Sequence, residues 1–216
     1  MFKYGIDQLT LHKVQEIAKG FKLCFSKISC RKKVEIITKN DKVVYGINTG
    51  FGPLCDVQIS PEETNQLQKN LLITHAVGVG NNIGKQLSKL MMICKVHALC
   101  QGFSGVRLEL IERIIYFIEN NLLPTVPEQG SVGASGDLAP LSHLFLPLIG
   151  EGDFWVKNEI FSAKEILEKH NLKPLELQAK EGLGLINGTQ FILAHTITGL
   201  LKMEYLLDLA DISGAM

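Results

Sequence analysis

The segment Gly130-Ser131-Val132-Gly133-Ala134-Ser135-Gly136-Asp137-Leu138-Ala139-Pro140 holds the most informative residues of the chain. Small residues at Ala134, Ser135 and Gly136 let the backbone fold sharply on itself, because glycine takes torsions that other residues avoid. A turn of that kind could bring the Gly136 nitrogen against the Ala134 carbonyl carbon. Attack there, with loss of one water, closes a five-membered imidazolone ring. Loss of a second water, from Ser135, leaves an exocyclic methylene that is a strong electrophile. The residue types alone do not separate this chemistry from a plain glycine-serine loop.

Other reactive patterns are missing. Gly78-x-Gly80-x-x-x-Gly84 and Gly182-x-Gly184-x-x-x-Gly188 each miss the dinucleotide fingerprint by one position, and both read as turns. Gly133-Ala134-Ser135-Gly136 and Gly102-Phe103-Ser104-Gly105 are each one residue short of a nucleophile elbow. There is no phosphate-binding G-x-x-x-x-G-K-[ST] motif. The five cysteines (24, 30, 55, 94 and 100) include no C-x-x-C pair, and the six histidines include no H-E-x-x-H. Neither a metal nor a nucleotide is therefore expected.

The elements that must position the loop are mostly helical. An amphipathic helix is expected around Leu9 to Phe21 after a short strand-like start, with another short segment near Val34 to Thr38. Three glycines and Pro53 within eight residues make the stretch from Val43 to Val57 an irregular loop. Ser60-Pro61-Glu62-Glu63 combines an N-cap serine, a proline at the first helical position and a glutamate three residues past the cap. It opens a helix that runs until Gly78-Val79-Gly80 breaks the pattern. Further helices are expected over Lys85 to Gln101 and Val106 to Asn121, the latter with Ile111, Ile114, Ile115 and Ile118 on one face. An apolar stretch follows from Leu138 to Ile149, then a small hairpin around Trp155. Ser162-Ala163-Lys164-Glu165 repeats the capping box and opens a helix to His170. The last element, Thr189 to Ala210, is apolar nearly all round, which is the pattern of a helix enclosed by other helices. Nothing after it could cover it, so other subunits or further chain are expected to do so.

Lys plus Arg number 22 and Asp plus Glu number 22, a balance that argues against binding nucleic acid or anionic lipid by bulk charge. Hydrophobic residues at 46% with charged residues at 20% fit a folded globular chain. The opening residues lack the basic-then-apolar layout of a secretory signal, and no run of about 18 apolar residues could span a membrane. A cytoplasmic protein with reduced cysteines is the expectation.

Gly130 to Leu141 closely resembles the signature of the aromatic amino acid ammonia-lyases. In that family an Ala-Ser-Gly triplet cyclises autocatalytically into 4-methylideneimidazol-5-one (MIO). Three more blocks match in order: Tyr45-Gly46-Ile47-Asn48-Thr49-Gly50-Phe51-Gly52, Gly102-Phe103-Ser104-Gly105-Val106-Arg107 and Leu185-Ile186-Asn187-Gly188-Thr189. Thr74-His75-Ala76-Val77-Gly78-Val79-Gly80 is similar to the Ser-His-Ala-x-Gly-Val-Gly of the histidine-specific branch, with Thr74 in place of the usual serine. Tyrosine- and phenylalanine-selective relatives tend to carry His-Leu or Phe-Leu there.

The resemblance covers nearly the whole chain and matches the N-terminal part of that branch. It implies a mostly α fold: a long-helix bundle with glycine-rich active-site loops and minor β, in the fumarase/aspartase-like architecture. Residues 1–216 would be the MIO-forming region plus the start of the central helical bundle, with the family's C-terminal part absent. The implied reaction is elimination of ammonia from L-histidine to give trans-urocanate. Ala134, Ser135 and Gly136 would supply the electrophile that bonds the substrate amine, although attack by the substrate ring is a competing proposal. Tyr45 would be the base for the β-proton. A free phenol holds its proton at neutral pH, so that role requires surroundings favouring the phenolate, such as nearby helix N-termini. His75 would contact the substrate, and Asn187 would hydrogen-bond the MIO oxygen or the substrate carboxylate. Asp137 would anchor the loop or cap the helix beginning at Leu138, and Arg107 is structural. His97, His143 and His195 read as packed histidines.

The family also implies a homotetramer with active sites shared between subunits, the tyrosine loop coming from a neighbour. Two other readings stand beside this one. The chain could belong to a tyrosine or phenylalanine ammonia-lyase or aminomutase, or it could be a catalytically silent assembly or regulatory chain of the same fold.

Overall fold

The structure, a computed structural model, describes residues 2–20, 23–25, 31–38, 44–50, 59–134 and 136–216. Ser135, Phe51 and Gly52 of the tyrosine block, Pro53, Cys30 and Cys55 lie outside the described residues.

The chain opens with strand β1 (Phe2–Tyr4), helix α1 (Leu11–Ala18) and strand β2 (Leu23–Phe25), which pairs parallel with β1. Thr10 caps α1 by accepting from the Lys13 amide, so the helix starts later than its apolar pattern suggests, and it ends at Ala18. Helix α2 (Arg31–Thr38) follows, then α3 (Pro61–His75). The Ser60 hydroxyl caps α3 at the Glu63 amide (3.3 Å) and donates to the Glu63 carboxylate (3.1 Å). Strand β3 (Val79–Asn82) separates α3 from α4 (Lys85–Cys100), which carries the centre of the core: Met91, Met92, Ile93 and Val96 have no exposure.

Helix α5 (Leu108–Glu119) buries all four isoleucines of its expected stripe. Short strands β4 (Leu123–Pro124) and β5 (Pro127–Gln129) come next, and β5 pairs antiparallel with β3. The apolar run beyond the Ala134 loop divides into α6 (Ala139–Phe145) and a 3-10 turn (Leu146–Ile149), because Pro147 brings no amide to continue the helix. The hairpin expected around Trp155 is β6 (Asp153–Val156) and β7 (Glu159–Ser162), and β4 extends it to three strands. Ser162 caps α7 (Ala163–Lys169) at the Glu165 amide.

Helices α8 (Glu181–Ile186) and α9 (Gln190–Ala215) close the chain. Gly182 and Gly184, expected in a turn, are helical residues of α8. Contact accounts for glycine at 182, which sits so close to α3 that an added Cβ would lie 2.8 Å from the Gln68 carbonyl oxygen. Gly80 likewise belongs to a strand. The apolar α9 packs on α4 through its first half, burying Ala194 and Ile197. Met203, Leu206 and Leu207 of its second half are each 61% exposed.

Candidate active site

Tyr45 begins a compact turn. The Val44 amide donates to Asn48 Oδ1 (2.8 Å), the Ile47 amide donates to the Val44 carbonyl (3.1 Å), and Gly46 takes the positive φ of +73° that closes the bend. Val44 and Ile47 pack on Val34, Ile37 and Ala179 in a small cluster apart from the main core, leaving Tyr45 54% exposed. Arg31 ties this patch to the approach to α8, with Nη1 donating to the Ala179 carbonyl (2.9 Å) and Nη2 to Gln178 Oε1 (2.6 Å).

His75 is the last residue of α3. Its Nδ1 lies 2.8 Å from the Leu71 carbonyl. A carbonyl oxygen only accepts, so Nδ1 carries a proton, and in the neutral ring Nε2 is left with a lone pair. The chain then turns through Gly78, whose amide donates to His143 Nε2 at 2.9 Å. A Cβ at position 78 would lie 3.0 Å from that nitrogen and 3.1 Å from the Gln129 carbonyl. One at Gly130, where φ is +144°, would lie 3.0 Å from the Gly78 Cα. The two glycine backbones therefore touch, and the His75 turn is seated directly on the start of the Ala134 loop. His143 does more than pack. Burial holds its pKa below the ordinary histidine value, which suits a ring nitrogen that must accept from an amide.

Within the loop the Asp137 carboxylate is buried and turns back on its own segment. Oδ2 accepts from the Ser131 hydroxyl and Oδ1 from the Val132 amide (3.0 Å). The Asp137 amide in turn donates to the Ala134 carbonyl (3.1 Å). Gly133 takes φ +66°. Asp137 does not cap the next helix: α6 begins at Ala139, and no side chain bonds its first turn.

Asn187 follows the end of α8 with an exposed side chain and extended backbone (φ −83°, ψ 120°). Its amide donates to the Leu183 carbonyl (3.1 Å), and its own carbonyl accepts from Lys95 Nζ (2.8 Å). Lys95, on α4, is 2% exposed, and burial pulls its pKa down to about 7. The start of α8 is locked by Glu181, whose carboxylate is entirely buried. It accepts from the Arg107 amide, Arg107 Nε, Arg107 Nη2 and the Gln178 amide, each at 2.9 Å. Burial works against the Arg107 charge, but the hydrogen bonds and charge of Glu181 outweigh it and raise the Arg107 pKa. Gln68 Oε1 receives the Gly182 amide (2.9 Å), joining α8 to α3.

The fold thus brings the His75 turn and the Ala134 loop into contact and carries Asn187 on α8, which packs against both α3 and α6. Tyr45 stands beside the small cluster apart from the main core. His97 packs against Phe2 and Tyr4, while His195 is exposed beside Phe191. Sequence patterns did not single out Lys95, Glu181, His143 or Gln68. For Lys95 a signal was present, a charge interrupting the apolar run from Leu90 to Cys100. Among the described residues no group of three or more His, Cys, Asp or Glu side chains could hold a metal, and no helix is long and apolar enough to cross a membrane.

Comparison with known proteins gives the site a context. The model of the aromatic amino acid lyase family matches residues 9–216. Histidine ammonia-lyase of Shouchella clausii is 47% identical over 205 residues, which cover 92% of this chain and 41% of the relative. Among solved structures, histidine ammonia-lyase from Trypanosoma cruzi superposes with a TM-score of 0.88 at 34% identity, covering 97% of this chain and 42% of the other. Tyrosine aminomutase from Streptomyces globisporus gives 0.81 at 30% identity, covering 89% and 37%. The mostly helical architecture is the one these lyase structures share. The chain spans about two fifths of the length of these relatives.

Proposed function

Because the chain belongs to the aromatic amino acid lyase family, we propose that it is the N-terminal part of a histidine ammonia-lyase, acting on L-histidine to release ammonia and trans-urocanate. The observation that carries this reading is the seating of the His75 turn on the Ala134 loop through Gly78, Gly130 and His143. It puts the segment that resembles the histidine-specific branch beside the segment that resembles the MIO signature. The 47% identity to a histidine ammonia-lyase supports the same substrate.

The residues fit a protein-derived MIO group. The Asp137 amide ties back to the Ala134 carbonyl, and a Cβ built on Gly136 meets nothing within 4 Å. Asp137 holds the entry to the triplet by receiving Ser131 and Val132. Formed from Ala134, Ser135 and Gly136, MIO supplies an electrophile for the substrate amine, which otherwise leaves poorly.

The chain's own groups have separable tasks. His75 presents the Nε2 lone pair, an acceptor suited to the N–H of a substrate imidazole. Asn187 offers carboxamide donors to developing negative charge or to the substrate carboxylate. Tyr45 takes the β-proton on its phenolic oxygen. Its exposed place beside a small cluster apart from the main core supports its serving a site in a neighbouring subunit of a homotetramer. The exposed apolar half of α9 supports burial by that assembly or by the C-terminal part of the relatives' chains.

The test is peptide mapping by mass across Gly130 to Pro140, on this chain and on one extended to the length of its relatives. Loss of two waters at Ala134-Ser135-Gly136 in the extended chain is the expected result. Turnover of L-histidine well above L-tyrosine and L-phenylalanine should accompany it. Preference for tyrosine would instead favour the aminomutase-like reading, and an intact triplet in a correctly assembled oligomer would leave a silent assembly chain.

A further inference from the structure

Lys95 is chemically out of place. It lies on the most buried helix of the chain, among Met91, Met92, Ile93, Cys94 and Val96, and is itself 2% exposed. An ammonium group removed from water is costly unless a carboxylate or several acceptors surround it. The acceptor found at Lys95 Nζ is one neutral oxygen, the backbone carbonyl of Asn187, 92 residues further along the chain. Lys89, the other buried lysine of α4, reaches the Asn121 side chain near the far end of α5. For a core position, methionine would fill the same volume without a charge.

The geometry at Asn187 supplies a reason to keep the donor. Asn187 leaves α8 with its amide fixed to Leu183 at 3.1 Å, and the chain then runs through Gly188 into α9. Glycine leaves the next backbone link loose. The Asn187 peptide carbonyl would swing with that link were Lys95 not holding it. With both its amide and its carbonyl held, the Cα of Asn187 is oriented and its exposed side chain leaves in one direction. We propose that Lys95 is a positioning residue, clamping the Asn187 backbone so that the carboxamide is presented in a single orientation at the active site. The inference rests on the reading of Asn187 as a substrate- or MIO-contacting residue.

The experiment is a double-mutant cycle of Lys95→Met and Asn187→Ala in the assembled, active protein, with hydrogen exchange of the segment from Asn187 to Leu193 measured alongside. Lys95→Met should speed exchange in that segment about tenfold or more. It should also lower kcat/KM by roughly 10- to 100-fold, the scale expected when a contacting group is misplaced by about an ångström. In the Asn187→Ala background the same change should cost less than about threefold, since no carboxamide remains to be misplaced. Lys95→Arg, which keeps a donor, should recover both protection and most of the activity. Where turnover is too slow to read, L-histidine binding by calorimetry follows the same pattern. Should Lys95→Met fail to fold, Lys95→Gln, whose amide falls one bond short, is read in its place.

Additive losses, or unchanged exchange at Asn187 to Leu193, would overturn the clamp and leave Lys95 as packing. An Asn187→Ala chain with unimpaired kcat/KM is a different failure, because it would remove Asn187 from the site and with it the premise.

Discussion

Replacing Arg107 with methionine should separate a buried charge lock from ordinary packing. The Glu181 carboxylate has no solvent exposure and four hydrogen-bond donors. Two of these are backbone amides, Arg107 and Gln178, and survive the substitution. The other two are guanidinium groups, Nε and Nη2, and they vanish with the cation that pairs with Glu181. Breaking a buried pair by removing one partner costs about 3–5 kcal/mol, because the remaining charge stays buried and uncompensated. The surviving amides argue for the lower end, about 3 kcal/mol. The Arg107–Glu109 pair faces solvent and adds little.

At this chain length a loss of about 3 kcal/mol corresponds to a Tm shift of roughly 6–12 °C. Urea unfolding followed by circular dichroism gives the free energy directly, provided that the m-value is unchanged. The control is Arg107→Met combined with Glu181→Gln, which removes both charges and keeps an acceptor for the backbone amides. It should unfold less easily than Arg107→Met alone, by about 1 kcal/mol or more, because no stranded carboxylate remains. The reasoning is refuted if Arg107→Met costs under about 1 kcal/mol, or if the double variant loses the full sum of the two single losses.

Three further outcomes follow from the same geometry. Gly182→Ala should destabilise by about 1–3 kcal/mol in urea melts, since its Cβ would sit 2.8 Å from a backbone oxygen of Gln68 that cannot easily move. Stability should fall as pH drops below about 6.5: burial depresses the folded-state pKa of His143 and of His97, so the unfolded chain binds more protons there. His143→Gln, which keeps an acceptor for the Gly78 amide, should remove its share of that acid loss in urea midpoints compared at about pH 5.5 and about pH 7.5. Lys95 has a folded pKa of about 7 against about 10.4 unfolded, so it makes stability rise with pH above about 7. Cys94 and Cys100, pushed up to about 12 and about 11 by burial, oppose this above about pH 8.5. Lys95→Met should therefore flatten the profile by roughly 1–2 kcal/mol between about pH 7 and about pH 8.5, and an unchanged slope would contradict the burial of an ionisable amine.

Local chemistry explains what could be read without coordinates. The caps at Ser60 and Ser162 bond within three residues, so their pattern is complete in the sequence, and both hydroxyls accept from the expected amides. The isoleucine stripe of α5 depends only on helical periodicity, and all four side chains are buried. The Ala134-Ser135-Gly136 segment could be singled out for a similar reason, since its potential chemistry lies in consecutive backbone atoms. Boundaries were less legible. The run from Leu138 to Ile149 changes helix type near Pro147, and Gly182 and Gly184 lie in a helix that is pressed against Gln68 of α3 and against Val106.

Residue types and short spacings by themselves determined the helical class, the starts of its main helices and the glycine loops, while the small set of side chains worth testing came from the family resemblance. Tertiary structure alone decided which of them are held together. Gly78 meets His143 across 65 residues, Glu181 meets Arg107 across 74, and Lys95 meets Asn187 across 92. Such pairs leave no period in the sequence, because each depends on the route of the intervening chain rather than on its local conformation. Their strength depends on desolvation as well, and the water around a lysine or a glutamate is removed only when distant helices close over it.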